Sequence, residues 1–150
     1  MIWNNIKFGI SPINWSNDDL HELGADITLD QCLADMQKTG FSGTEMGHNY
    51  PIDAIRLKSI LGKYNLDLTS GWFSTYFVRS SSPEKELERL DRLLQLLASM
   101  GAKTVNLAEC SGAVYTARHI GLSHKPVFDD KDWDSLIHGL ERAGQLCHTY

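Results

Sequence analysis

Polar and acidic residues follow each of four short apolar segments in this 150-residue sequence. Besides carboxylates and amides, they include a histidine and two tryptophans. Carboxylates and histidine can transfer protons or bind hydroxyl groups, and an indole ring can stack on the apolar face of a sugar. Because they recur after all four segments, these residues together indicate a binding site more strongly than any one of them alone. In chain order they are Asn14, Trp15, Asn17, Asp18, Asp19, Glu45, His48, Asn49, Trp72, Ser74, Thr75 and Glu109.

Each of these residues also has a structural interpretation. The segment Asn17–Asp19 is equally typical of a solvated helix-capping turn. Glu45 and Glu109 end otherwise buried segments, where an unpaired carboxylate is costly, so a functional role is favoured. A lone loop histidine such as His48 is more often neither an acid–base group nor a ligand. The two tryptophans fit the packing of a barrel as well as the wall of a site.

The four apolar segments alternate with four helical patterns, and the alternation predicts how these residues are positioned. The segments are rich in β-formers and are bounded by Gly, Asn or charged residues, as buried parallel strands are. Strand–helix units of about thirty residues predict right-handed crossovers and a parallel sheet. Ligands bind beyond the carboxyl ends of such strands, where the polar residues stand. The segments are Ile6–Trp15, Phe41–Met46, Leu66–Phe73 and Thr104–Ala108.

The first two helical patterns carry start and stop signals. We expect helix one to begin at a capping box formed by Thr28 and Gln31 and to end at Gly40 in a left-handed conformation. Helix two is predicted from Pro51, a good first-turn residue, to about Tyr64, with Asn65 as its stop.

The last two helices are separated by a long irregular segment. Helix three is predicted to begin at Ser82 and Pro83 and to end at Gly101. Residues 110–131 follow strand four without a regular pattern, and a loop of this length inside a domain is usually functional or mobile. Helix four is predicted to begin near Asp132 and to continue to the end of the sequence. Its expected buried stripe consists of Trp133, Leu136, Ile137 and Leu140, with Cys147 as a further candidate.

The composition excludes several classes of protein. With 14 Lys and Arg against 19 Asp and Glu, the formal net charge is −5, which argues against a nucleic-acid partner. No apolar run has the length of a membrane span, and the first residues lack the pattern of a signal peptide, so we expect a soluble, cytoplasmic protein without a membrane partner. The cysteines Cys32, Cys110 and Cys147 fit reduced thiols, with Cys32 packed inside helix one. Dinucleotide-binding, P-loop and zinc-protease motifs are absent.

At the same loops the sequence resembles the inosose dehydratases (2-keto-myo-inositol dehydratases) of bacterial inositol catabolism. The stretch Pro-Ile-Asn-Trp-Ser-Asn-Asp-Asp at residues 12–19 is distinctive, whereas the Gly-x-Glu element at 43–45 is shared with the wider xylose-isomerase-like barrels. The resemblance runs in order over nearly all of the chain and departs at Tyr115, where we expect a glutamine-like residue. The matching segments are Gly9–Asp19, Gly43–Gly47, Tyr50–Pro51, Gly71–Thr75, Met100–Lys103 and Ala108–Glu109.

The resemblance implies an α/β fold of the (β/α)₈ TIM barrel type. A full barrel needs about 250 residues and eight strand–helix units. We therefore expect residues 1–150 to supply the first four units, the N-terminal half of a single xylose-isomerase-like TIM barrel domain. The family also implies a divalent Mn or Co ion, whose ligands come chiefly from later strands, so we assign no metal ligand here. The expected substrate-binding residues are Asn14, Trp15, Asp18, Asp19, Glu45, His48, Asn49, Trp72 and Glu109.

The implied reaction is the dehydration of 2-keto-myo-inositol (scyllo-inosose) to a trihydroxycyclohexanedione by metal-assisted enolisation. We expect the complete enzyme to catalyse it and the isolated chain to be inactive, and we assign no catalytic residue. One alternative is a sugar isomerase or epimerase on the same barrel, acting on a sugar or cyclitol. The other is a non-catalytic assembly module, since four units leave two open sheet edges through which a homodimer could form.

Overall fold

The computed structural model describes residues 6–114 and 121–150. Within those residues the chain forms one sheet of four strands in the order β1-β2-β3-β4, in which β1 pairs parallel with β2 and β2 parallel with β3. The predicted alternation of strands and helices is confirmed. The elements are β1 (Gly9–Ile10), α1 (Leu29–Lys38), β2 (Gly43–Met46), α2 (Ala54–Lys63), β3 (Asp67–Thr75), α3 (Pro83–Ser99), β4 (Thr104–Glu109) and α4 (Asp130–Cys147), with short 3₁₀ helices at Pro12–Asn14 and Leu122–His124.

The chain divides into two compact units that interleave along the sequence. Unit one consists of Met1–Gly71 and Leu96–Val105, and unit two of Trp72–Gln95 and Asn106–Tyr150. Each unit has its own buried apolar residues. Those of unit one are Cys32, Leu33, Met36, Tyr50, Leu57, Leu61, Leu66, Leu68 and Leu97, and those of unit two are Phe73, Phe77, Leu90, Leu94 and Ala143.

The first strand is much shorter than the predicted Ile6–Trp15. After Ile10 the backbone turns, because the Ser11 side chain accepts a hydrogen bond from the Ile13 amide and Pro12 occupies the first turn of a 3₁₀ helix. Proline fixes φ near the helical value and lacks the amide hydrogen that a strand would use. The apolar Ile13 therefore lies on a turn, exposed, rather than in the sheet.

Helix α1 buries Cys32, as predicted, together with Met36, but only half of its capping box forms. The Thr28 hydroxyl accepts from the Gln31 amide at 3.2 Å, as predicted. The Gln31 side chain instead donates to Asp35 at 2.9 Å, a partner one helical turn later. Gly40 ends the helix with φ of +90°, the left-handed conformation predicted for it.

Helix α2 begins three residues after Pro51, which corrects the predicted start. Asp53 is the capping residue, and its side chain accepts from the Arg56 amide at 2.7 Å. A helix that began at Pro51 would have Tyr50 as its capping residue, and Asp is a much stronger N-cap than Tyr, so Asp53 determines the first turn. The predicted stop is confirmed, since Asn65 has φ of +53°.

Strands β2 and β3 approach each other closely at Gly43. The Thr69 hydroxyl donates to the Thr44 carbonyl at 3.0 Å, which brings its methyl group over Gly43. A Cβ atom on Gly43 would lie 2.4 Å from Thr69 Cγ2. Residue 43 can therefore carry no side chain in this packing.

Helix α4 begins at Asp130, earlier than predicted, because Asp129 and Asp132 form a reciprocal capping box. Its expected buried stripe is wrong for three positions: Trp133, Ile137 and Leu140 are 52%, 50% and 40% exposed.

The inward face of α4 is formed by small residues instead. Gly139 and Ala143 are buried, and a Cβ on Gly139 would lie 2.2 Å from Cγ of Phe77. The backbone of α4 at Gly139 therefore packs directly against the Phe77 ring, where the prediction placed large apolar side chains. No helix within residues 6–114 and 121–150 is both long and apolar enough to span a membrane.

Candidate functional site

The loop after β1 is a hydrogen-bonded turn that carries the first expected site residues. The Asn17 side-chain oxygen accepts from the amides of Asp19 and Leu20, at 2.9 and 2.7 Å. This Asx turn agrees with the turn interpretation of Asn17–Asp19, but it caps no helix, since α1 begins only at Leu29. It also determines where the neighbouring Asp18 side chain is presented.

Asp18, His21 and His48 form a cluster in unit one, which we call the Asp18 cluster. Asp18 Oδ1 accepts from His48 twice, from ring Nδ1 at 2.6 Å and from the backbone amide at 3.2 Å. The ring of His21 stacks on that of His48, with centroids 4.4 Å apart and an angle of 15° between planes. The structure thus brings together two expected site residues that are 30 positions apart in the chain.

Glu45 lies at the end of β2 beside a polar pocket of about 360 Å³ in unit one. Ser70, which β3 places opposite Glu45, donates its hydroxyl to Glu45 Oε1 at 3.2 Å. Lys7, Ser11 and Thr69 also line the pocket. A pocket lined by a carboxylate, hydroxyl groups and an ammonium group suits a ligand that carries several hydroxyls.

Glu109, at the end of β4, is held in unit two by three hydrogen bonds. Its Oε2 accepts from the Thr75 hydroxyl at 3.1 Å and from the Phe77 amide at 2.9 Å. Its Oε1 accepts from the Ser111 amide at 2.9 Å. A pocket of about 310 Å³ opens beside this carboxylate. The three bonds pin the segment after β3 to the segment after β4, so Glu109 organises both loops.

The two expected tryptophans differ in their surroundings. Trp15 is half-buried, and its indole N–H donates to Asp35 on α1 at 3.2 Å, which ties the ring to the helix. Trp72 is 54% exposed on β3 and donates to the Ser74 hydroxyl at 3.1 Å. Trp72 therefore presents a ring that a ligand could stack on, whereas the ring of Trp15 is partly covered and hydrogen-bonded to α1. The remaining expected residues Asn14, Asp19 and Asn49 are exposed.

A buried hydroxyl pair supports the segment that carries Glu45 and His48. The hydroxyls of Thr44 and Tyr50 are 2.9 Å apart. Burial is the largest cause that raises the pKa of Tyr50 above its ordinary value. Tyr50 therefore stays protonated at neutral pH and serves as a neutral hydrogen-bonding partner.

The sequence is similar to those of curated inosose dehydratases. The chain is 40% identical over 144 residues to the inosose dehydratase of Bacillus cereus strain AH820, across 95% of this chain and 48% of that relative. The chain is homologous to the inosose dehydratases. It spans about half the length of the curated relatives it matches. No protein-family model matches it.

The chain superposes on solved structures that have the fold implied by the inosose dehydratase resemblance. The probable 3-DHS dehydratase AsbF of Bacillus anthracis superposes with a TM-score of 0.62 at 15% identity, over 96% of this chain and 49% of that chain. The 3-keto-D-glucoside 4-epimerase YcjR of E. coli gives 0.58 at 16% identity, over 80% and 47%. A xylose isomerase-like TIM barrel fusion protein gives 0.54 at 16% identity, over 94% and 21%. The expected fold class is confirmed: four parallel β/α units of the TIM-barrel type.

The metal ion that the inosose dehydratase resemblance implies does not fit the described residues. Among residues 6–114 and 121–150, no three His, Cys, Asp or Glu side chains are grouped so as to hold a metal ion. Asp18 uses its Oδ1, and Glu109 both of its carboxylate oxygens, for hydrogen bonds within the chain. Residues 115–120, which include Tyr115 and His119, lie outside the described part.

Several residues of the site were not predicted from the sequence. His21 stands three positions after Asp18 in the same turn, so its spacing from Asp18 was a usable signal. Ser70 and Ser111 carried no signal, because their contacts with Glu45 and Glu109 depend on the pairing of distant segments.

Proposed function

We propose that this chain forms half of the barrel of an inosose dehydratase. The complete enzyme would remove water from 2-keto-myo-inositol (scyllo-inosose) to give a trihydroxycyclohexanedione in myo-inositol catabolism. The identity of 40% over 95% of the chain is the observation that supports this most strongly. The polar pocket beside Glu45, which suits a ligand with many hydroxyls, agrees with a cyclitol substrate.

The reaction places three demands on the protein. The hydrogen beside the ketone must pass to a base, the enolate oxygen must be stabilised, and the departing hydroxyl must receive a proton. The Mn or Co ion that the family implies would polarise the ketone when bound. Because the described residues do not form its ligand set, the roles proposed here concern binding and proton transfer alone.

We assign substrate contacts to the residues that remain accessible at the strand ends. In unit one, Asp18, Glu45 and His48 would bind hydroxyl groups. In unit two, Trp72 offers an exposed ring of the kind that stacks on the carbon face of a cyclitol. Glu109 would act at the edge of the pocket that it lines, with its carboxylate already oriented by three donors. The exposed residues Asn14, Asp19 and Asn49 would provide further polar contacts. Trp15 would hold the loop against α1 through its hydrogen bond to Asp35.

The experiment compares the chain alone with a chimera in which it is joined to the half of the Bacillus cereus relative that it does not match. Each is incubated with scyllo-inosose and Mn²⁺, and the products are analysed by mass spectrometry for loss of water. We expect no turnover by the chain alone and dehydration by the chimera. Sedimentation of the chain alone also measures whether it forms the homodimer considered above.

The outcomes distinguish the candidate functions. Full turnover by the isolated chain would show that a half-length chain suffices and would contradict its expected inactivity. A folded chimera that moves the carbonyl group without losing water would favour the isomerase or epimerase alternative. A folded chimera that neither dehydrates nor isomerises inosose would refute the proposal.

A further inference from the structure

The Asp18 cluster holds two imidazole rings in defined orientations. His48 faces Asp18 through ring Nδ1, and His21 faces the Asp18 backbone carbonyl through ring Nε2 at 2.8 Å. Asp18 therefore accepts a hydrogen bond from each ring, with its side-chain carboxylate from His48 and with its backbone carbonyl from His21. The Asx turn at Asn17 fixes the segment that presents these two acceptors.

These contacts determine where the ring protons lie. An ionised carboxylate and a backbone carbonyl can only accept hydrogen bonds. His48 must therefore carry a proton on Nδ1, and His21 a proton on Nε2. In neutral His48 the lone pair is then on Nε2, the nitrogen that faces away from Asp18.

The surroundings of His48 hold its ring in one orientation and leave it accessible to a ligand. Stacking against His21 restricts rotation of the His48 ring, and the bond from the His48 backbone amide holds in place the carboxylate that the ring faces. The side chains of His48 and Asp18 are 32% and 34% exposed, so a ligand can reach the ring while part of it is shielded from water. A solvated surface pair would lack the second ring and the second hydrogen bond.

We infer that Asp18 is a positioning residue that holds His48 in the Nδ1–H tautomer, so that Nε2 is the proton acceptor offered to the substrate. This inference deepens the proposed dehydration and rests on it. The C–H bond beside the ketone breaks, its proton passes to Nε2 and its electron pair forms the enolate. The enolate then re-forms the ketone as the β-carbon–oxygen bond breaks. The departing hydroxide takes the proton from Nε2 and leaves as water, which returns His48 to its neutral form.

The first test is nuclear magnetic resonance of the chain labelled with nitrogen-15 at histidine. Long-range proton–nitrogen correlations distinguish a protonated ring nitrogen from an unprotonated one, so they report the tautomer. We expect His48 to show a protonated Nδ1 and an unprotonated Nε2. Asp18→Ala should lose this preference. Asp26→Ala, which removes an exposed carboxylate from the same loop, should keep it.

Two results would overturn the inference. One is an Nε2–H tautomer of His48 in the unsubstituted chain, whatever the variants show. The other is an unchanged tautomer in an Asp18→Ala chain whose backbone amide spectrum remains that of the folded protein.

Addition of scyllo-inosose to the same sample separates this inference from the proposed function. A hydroxyl group that donates to His48 should shift the Nε2 resonance and leave Nδ1 unchanged, which supports both. A response at Nδ1 alone contradicts the inference. If the tautomer is as expected but no histidine resonance responds, the binding of inosose by this chain is refuted and the role of Asp18 in fixing the tautomer is confirmed.

Discussion

Glu109→Gln tests whether the carboxylate at the end of β4 holds two loops together. The substitution keeps the size of the side chain and replaces one oxygen by an NH₂ group, which is a donor. In its better orientation the amide oxygen still accepts from Thr75 and Phe77, and the NH₂ group then faces the Ser111 N–H. One hydrogen bond is lost, and the other two lose the assistance of the negative charge.

The expected loss of stability follows from these bonds. A hydrogen bond to a charged group contributes about 1.5–3 kcal/mol, and charge-assisted bonds are roughly twice as strong as neutral ones. Because Glu109 is half-buried, we expect a reduction of about 2–4 kcal/mol in the free energy of unfolding. Urea denaturation followed by circular dichroism measures it.

The matched control is Glu88→Gln on the exposed face of α3, which makes the same chemical change away from these loops. It should alter the free energy of unfolding by less than about 0.5 kcal/mol. Glu109→Asp adds a second comparison, since it keeps the charge but shortens the reach by one methylene. If Glu109→Gln proves as mild as the control, the three hydrogen bonds do not stabilise the loops and the reasoning is wrong.

Two further predictions concern packing and thiol chemistry. Gly139→Ala should destabilise the chain by about 1–3 kcal/mol, because its Cβ would lie 2.2 Å from Phe77. Gly144→Ala, whose Cβ would have nothing within 4 Å, should instead stabilise α4 by up to about 1 kcal/mol. Equal urea midpoints for the two variants would contradict this prediction. Burial, and then the charge of Asp35, raise the pKa of Cys32 from 9.0 to about 11, so at pH 9 iodoacetamide should label Cys32 in urea but not in the native chain. The raised pKa favours the protonated thiol in the folded state, so its contribution to the free energy of unfolding is present below pH 9 and is lost towards pH 11. Rapid labelling of Cys32 in the native chain at pH 9 would refute the raised pKa.

Local rules predicted much of the secondary structure, and tertiary contacts account for the differences. The cap at Thr28 and the stops at Gly40 and Asn65 were predictable because each depends on the backbone within a few residues. The short β1 was missed although Ser11 and Pro12 signal a turn, because the apolar residues on both sides favoured a longer strand.

Helix α4 shows why periodicity alone could not predict which face is buried. Its large apolar residues give a clear stripe, yet Gly139 and Ala143 face inwards, since close backbone approach to Phe77 requires small residues.

The candidate site was predictable by residue type and not by contact. The positions after the strands were recognisable, and Asp18 and His48 could both be named from the sequence. Their hydrogen bond joins residues 30 positions apart, and the bond from Thr75 to Glu109 joins residues 34 apart. Such pairs depend on strand register and loop geometry, which single-sequence patterns do not contain.

The close fit of Gly43 beneath Thr69 makes these two positions dependent on each other in evolution. An alanine at position 43 would meet the Thr69 methyl group at 2.4 Å, so it becomes acceptable only after that methyl group is removed. Serine at position 69 would remove the methyl group and keep the hydroxyl that donates to Thr44. The order Thr69→Ser and then Gly43→Ala therefore avoids the collision with residue 69 and leaves a 3.1 Å contact with the Asp67 carbonyl oxygen, which a small shift relieves. Homologous sequences should therefore change at the two positions together, with the smaller residue at 69 arising first.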